Sequence, residues 1–176
     1  MDVEALRKQY LPSKIKVLFI AEAKPDADDR FFYYDKVKTH DHLYLHLMYA
    51  LYGKTKNDND YLREHKAEFL NRFKEDGYYL VDAVDEIKAR TEPAVRIKAI
   101  RANAEIKTGE MEALVSQHGT EDTKVVIIAA TVFKGLYEHL KDKFNVINDT
   151  PIYFPSNGQQ SAFLRQMSKI VKELHQ

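Results

Sequence analysis

Apolar and polar positions along the chain fall into blocks of two alternating kinds. The run IKVLFIAEA, Ile15 to Ala23, is almost continuously apolar as far as Ala21 and then meets Glu22, Lys24 and Pro25. A strand buried on both faces has this pattern where it emerges from its sheet. YYLVDAV, Tyr78 to Val84, and VVIIAA, Val125 to Ala130, predict two further strands, and a short fourth falls at Asn145 to Asn148 or at Ile152 to Phe154. Between them the period is helical. A short helix ends near Tyr10. His42 to Leu51 carries Leu43, Leu47, Met48 and Leu51 on one stripe closed by Gly53, and Asp60 to Lys74 turns Leu62, Phe69, Leu70 and Phe73 inward. Pro93 opens a long helical stretch to His118, imperfect around Thr108 and Gly109. Thr131 is a candidate cap for a helix reaching about Lys143. The loop PSNGQQ precedes a last helix built on Phe163, Leu164, Met167, Ile170, Val171 and Leu174.

Strands alternating with helices predict an α/β protein. The expected fold is a three-layer α/β/α arrangement around a central, mostly parallel four-stranded sheet, because right-handed crossovers return each strand in the same direction. No repeat, low-complexity segment or linker divides residues 1–176, so one domain is expected. In such sheets ligands sit at the carboxyl ends of the strands, near the point where strand order reverses. The polar segments Glu22 to Asp29, Asp82 to Glu86, Thr131 and Ser156 to Gln160 are therefore the first candidates for a site.

Composition narrows the chemistry. With 176 residues and 44% of them hydrophobic, the chain can bury a core without staples. The 27 basic residues are balanced by 27 acidic ones, which argues against a protein that coats nucleic acid, though not against an enzyme with a local basic rim. The lack of cysteine removes disulfides, thiol nucleophiles, thiolate zinc sites and iron–sulfur clusters. The N-terminal stretch has no apolar run fit for a signal peptide and nothing approaches the roughly 20 apolar residues of a membrane span, so a cytoplasmic protein with no membrane partner is expected. His42 and His46 stand at i, i+4 with His40 nearby, but no third metal ligand is evident. Solvent-facing histidines on an amphipathic helix are the expectation, with neither metal nor cofactor.

The order AEAKPDADDRFFYY after the first strand, YYLVDAV, VVIIAAT and YFPSNGQQ before the last helix resembles the uracil-DNA glycosylase superfamily, from about Ile15 to the final helix. The resemblance implies an N-glycosidic hydrolase of DNA repair acting on a flipped base, with DNA, a nucleobase or a nucleotide as partner. It would put Glu22 near the glycosidic bond, to support an oxocarbenium-like centre directly or through a water. It would make Phe32, within Phe31 to Tyr34, the ring that stacks on the base. Asp82 aligns with an Asn that reads uracil; an ionised carboxylate only accepts, so a base presenting adjacent donors is the better match. Thr131 and Ser156 join these as ligand-binding candidates, and Asn157 would stand near the leaving group.

Three departures stand out. AEAKP lacks the glycines of the family's first motif, Phe154–Pro155 replaces its His-Pro, and the cysteine cluster of several branches is missing. Plainer readings accompany each candidate. Glu22 also reads as a salt-bridged loop carboxylate, Phe31 to Tyr34 as core packing, Asp82 as a cap, and PSNGQQ as a turn with an N-cap. Lys88, Arg90, Arg96, Lys98 and Arg101 read as a solvated mixed-charge face. The competing functional class is a non-catalytic module that keeps the fold and binds a nucleotide, small molecule or protein.

Overall fold

The computed structural model describes residues 1–26, 30–37, 39–88 and 90–176, so the part of the Glu22 to Asp29 segment at 27–29 lies outside the described residues. The chain runs α1 (Val3–Gln9), β1 (Val17–Ala21), α2 (His42–Tyr52), a 3₁₀ turn (Lys56–Asp58), α3 (Asn59–Glu64), α4 (Lys66–Glu75) and β2 (Tyr78–Asp82). It continues through α5 (Pro93–Ala102), α6 (Ala104–His118), β3 (Lys124–Ile127), α7 (Ala130–Leu140), β4 (Asn145–Val146) and α8 (Gln160–Leu174). The four strands form one sheet in the order β2-β1-β3-β4, and every pairing is parallel, so the sheet is wholly rather than mostly parallel. From β1 the chain goes first to one side and then to the other. The reversal of strand order therefore lies between β1 and β3.

The central strand β1 is buried at every residue, as its unbroken apolar run requires, and helices cover both faces of the sheet. α5 and α6 pack on α7, α2 packs on α8, and α4 lies against β2. Gly77 makes the entry to β2 possible. Its carbonyl accepts from the Lys16 and Val17 amides, its φ is +81°, and a Cβ there would stand 3.0 Å from the Lys14 carbonyl oxygen.

β2 is an edge strand, and an edge leaves backbone groups without partners. Tyr33 closes it: its hydroxyl donates to the Leu80 carbonyl at 3.0 Å and accepts from the Leu80 amide at 2.7 Å. The aromatic segment is thus a plug on the sheet edge, with Phe31, Phe32 and Tyr33 all buried.

Several boundaries differ from the periodicity. The helix expected over Asp60 to Lys74 is two, broken at His65, because Lys66 turns inward and donates its ammonium to the Phe31 carbonyl at 3.3 Å. The stretch from Pro93 breaks at Asn103 instead of near Thr108. The Asn103 amide side chain donates to the Ala83 carbonyl, whereas the Thr108 hydroxyl is satisfied within the helix by Ala104. Thr131 does not cap α7, which starts one residue earlier with Ala129 at its N-cap. Both positions offered for the fourth strand contribute, Asn145–Val146 as β4 and Ile152 as a single parallel bridge to Ile128. His46 is not solvent-facing: it is buried, its Nδ1 shares a hydrogen bond with the His42 carbonyl at 2.7 Å, and its ring packs on Tyr49 and Phe163.

Candidate functional site

Glu22 follows β1 directly and Thr131 lies in the first turn of α7, so the reversal of strand order puts them side by side. The Thr131 hydroxyl donates to one oxygen of Glu22, and the guanidinium of Arg96, from α5, donates to the other. Arg96 is held in turn by the Thr91 carbonyl, which accepts from its Nε at 2.7 Å. Arg96 is therefore half-buried in the site, not part of the solvated face, while Lys88, Arg90, Lys98 and Arg101 are exposed as that reading expects. The charged end of a buried strand needs a partner, and that requirement was the one signal for an Arg nearby. A carboxylate offers about four lone-pair directions. Two are used here, and capacity remains for a water or a developing charge.

Ala129 precedes Thr131 at φ +80° and ψ 134°, a conformation that is essentially restricted to glycine. It is held there by its amide hydrogen bond to the Ile152 carbonyl at 2.9 Å. The turn brings the start of α7 up against Glu22. A cleft of about 790 Å³ opens at this point, lined by Glu22, Arg96, Thr131, Ser156 and Asn157, with the exposed ring of Tyr153 on its rim. Asn157 and Gly158 both have positive φ, the turn that an Asn-Gly pair favours, and this turn carries Ser156 and Asn157 to the cleft ahead of α8. Gln159, at the N-cap of α8, makes no side-chain cap.

Asp82 and Phe32 are in a second, smaller cavity of about 60 Å³ walled by Phe31, Tyr44, Leu80 and Phe154. The two spaces adjoin, since Ala23, Pro25, Arg30, His40 and Phe154 line both. Phe32 is buried, its ring meeting Tyr33, Tyr44 and Phe73, so core packing accounts for most of its surface. Asp82 caps nothing. Its Oδ2 accepts from Arg7 Nη2 of α1 at 2.7 Å, and burial raises its pKa while Arg7 opposes the rise. Arg7 was invisible to sequence reasoning, because a basic residue on a short polar helix gives no hint of a target 75 residues away.

Behind the small cavity lies Lys66, wholly buried, its Nζ 4.5 Å from the centre of the Tyr44 ring. Burial pushes its ammonium down to about 7, with Asp41 and Asp35 pulling upward. Among the described residues no group of three or more His, Asp or Glu side chains is placed to hold a metal, and no helix is long and apolar enough to cross a membrane. No family model, no curated protein and no solved structure matches the chain.

Proposed function

We propose that the chain is a base-recognising protein of the uracil-DNA glycosylase type, acting on an N-glycosidic bond of DNA. One observation carries this reading: a carboxylate at the reversal of strand order faces a cleft that adjoins a small cavity whose lining combines Phe31, Phe32, Tyr44 and Phe154 with polar groups, Asp82 and Asp41 among them. A flipped base enters the small cavity against Phe32 and Asp82, and its sugar and phosphates stay in the larger cleft. Glu22, oriented by Arg96 and Thr131, stabilises the positive charge that grows on the sugar as the base leaves. Ser156 and Asn157 approach the departing base from the α8 side, and Arg30, Arg96 and the Tyr153 ring supply a rim for the flanking strand.

The test is a single-turnover assay on single- and double-stranded oligonucleotides carrying uracil, hypoxanthine, xanthine or alkylated bases, read as cleavage at the abasic site. Base release by the wild type that falls about 100-fold or more in Glu22→Ala is the expected result, the usual scale for losing one preorganised electrostatic group. A specific feature favours the second reading, a binding module without catalysis. On the resemblance, Phe154, which is half-buried and apolar, takes the place of the family's His and offers no group to assist the leaving base. Inactivity on every substrate, with no salt-dependent DNA binding, selects that module.

A further inference from the structure

Two tyrosine rings are about half exposed, and their surroundings differ. Tyr61, 48% exposed, is covered by the His65 ring at 4.3 Å and the Lys54 ammonium at 5.6 Å. Tyr153, 45% exposed, stands on the rim of the large cleft, and among the described residues its ring meets no aromatic or cationic partner. Its backbone is nevertheless anchored. The Tyr153 amide donates to Gln166 Oε1 at 2.9 Å, the Gln166 side-chain amide donates to the Pro151 carbonyl at 2.9 Å, and the intervening Ile152 bridges to Ile128 just past β3. A bare ring on a fixed segment is a face already in place, so little ordering is lost when a flat group lies on it.

The charge of the cleft decides what that face can serve. Among the described residues three Lys or Arg side chains line it, and two of them have acceptors of their own: Arg96 is paired with Glu22, and Lys24 donates to the Pro25 carbonyl at 3.1 Å. Glu22 and Asp26 line it too, and the whole chain balances 27 basic against 27 acidic residues. Proteins held on a duplex by its backbone make about 6 to 10 phosphate contacts. This cleft cannot supply that many. Affinity for nucleic acid must then come from base faces, and paired, stacked bases do not present them. We infer that Tyr153 is a stacking platform that selects a single strand over a duplex, its ring lying on the base next to the one held in the cleft. The inference rests on the base-recognition reading and adds to it the form of nucleic acid. An unpaired base is also the one that costs least to turn out of its strand.

The experiment is a fluorescence-anisotropy titration of the purified full-length protein against a labelled oligonucleotide of about 12 nucleotides, within the span of single-strand sites, and against the same strand in a duplex. Neither carries a damaged base. The wild type should bind the single strand about tenfold or more tighter than the duplex. Tyr153→Ala should weaken single-strand binding by about tenfold, the scale of one lost base stack, and leave duplex binding unchanged. Tyr153→Phe should stay within about threefold of the wild type, because the ring and not the hydroxyl makes the stack. Duplex binding as tight as single-strand binding overturns the inference, as does saturation by neither, an equal loss on both forms in Tyr153→Ala, or a Tyr153→Phe protein as weak as Tyr153→Ala. The wild-type comparison needs no variant, and it decides the matter even if a variant does not fold. Single-strand preference that depends on Tyr153, without base release from any oligonucleotide, retains the platform and removes the glycosylase reading. Base release that is equal on single and double strands and unchanged in Tyr153→Ala does the opposite.

Discussion

Lys66 shows how one residue can carry a cost that depends on pH. It is wholly buried with its ammonium on the Phe31 carbonyl and over the Tyr44 ring, and it titrates near 7 instead of its ordinary 10.5. Between those two values the unfolded chain binds a proton that the folded chain does not. Stability from this group therefore rises with pH across that window, by up to about 1.4 kcal/mol per unit. Below pH 7 both states are protonated and the full cost of the buried charge is present. Lys66→Met, which keeps the stem and removes the charge, should stabilise the protein most near pH 6 and progressively less toward pH 10. Urea midpoints at pH 6, 8 and 9.5 measure it. The same gain at all three would mean that Lys66 titrates normally.

At the scale of elements, α7 approaches α5, the helix that carries Arg96, closely. Gly135 on α7 allows that approach: a Cβ there would lie 2.5 Å from Ile100 Cγ2 and 2.9 Å from Ile100 Cβ, on the same helix as Arg96. Gly135→Ala must push the helices apart, because the clash involves the branched carbon itself. A loss of about 1 to 3 kcal/mol is expected for overpacking of this kind, and each kcal/mol lowers the melting midpoint of a chain this size by roughly 2 to 4 °C. Calorimetric melting checks it. An unchanged midpoint would show that α5 and α7 separate without cost.

For the whole molecule, α1 joins the N-terminal segment to the carboxyl end of β2 and to α4. Arg7 pairs with Asp82, the Tyr79 hydroxyl donates to the Arg7 carbonyl at 3.3 Å, and Lys74 donates to the Gln9 carbonyl at 2.8 Å. Removing one partner of a buried pair leaves the other charge uncompensated. Arg7→Met should therefore cost about 3 kcal/mol at neutral pH. The loss should shrink as pH falls, since Asp82, already raised by burial, takes up a proton more readily without Arg7. Denaturant unfolding at pH 7 and pH 5 measures both. A variant equally destabilised at the two values would show that α1 is held by packing and not by the ion pair.

The alternation of apolar runs with helical stripes was enough to determine the α/β class, the strands near residues 17, 78 and 124, and the edge of the sheet at which Glu22, Asp82, Thr131 and Ser156 gather. Strand burial and helix period are local properties, written in consecutive residues. Tertiary structure alone decided which charges meet. Arg96 reaches Glu22 across 74 residues, Thr131 reaches it across 109, and Tyr33 seals Leu80 across 47. None of these contacts leaves a period or a spacing in the chain. The same holds for the division of the site, with Glu22 in the open cleft and Asp82 in the aromatic cavity. Strand order and helix packing set that partition, and they act only once the sheet has assembled.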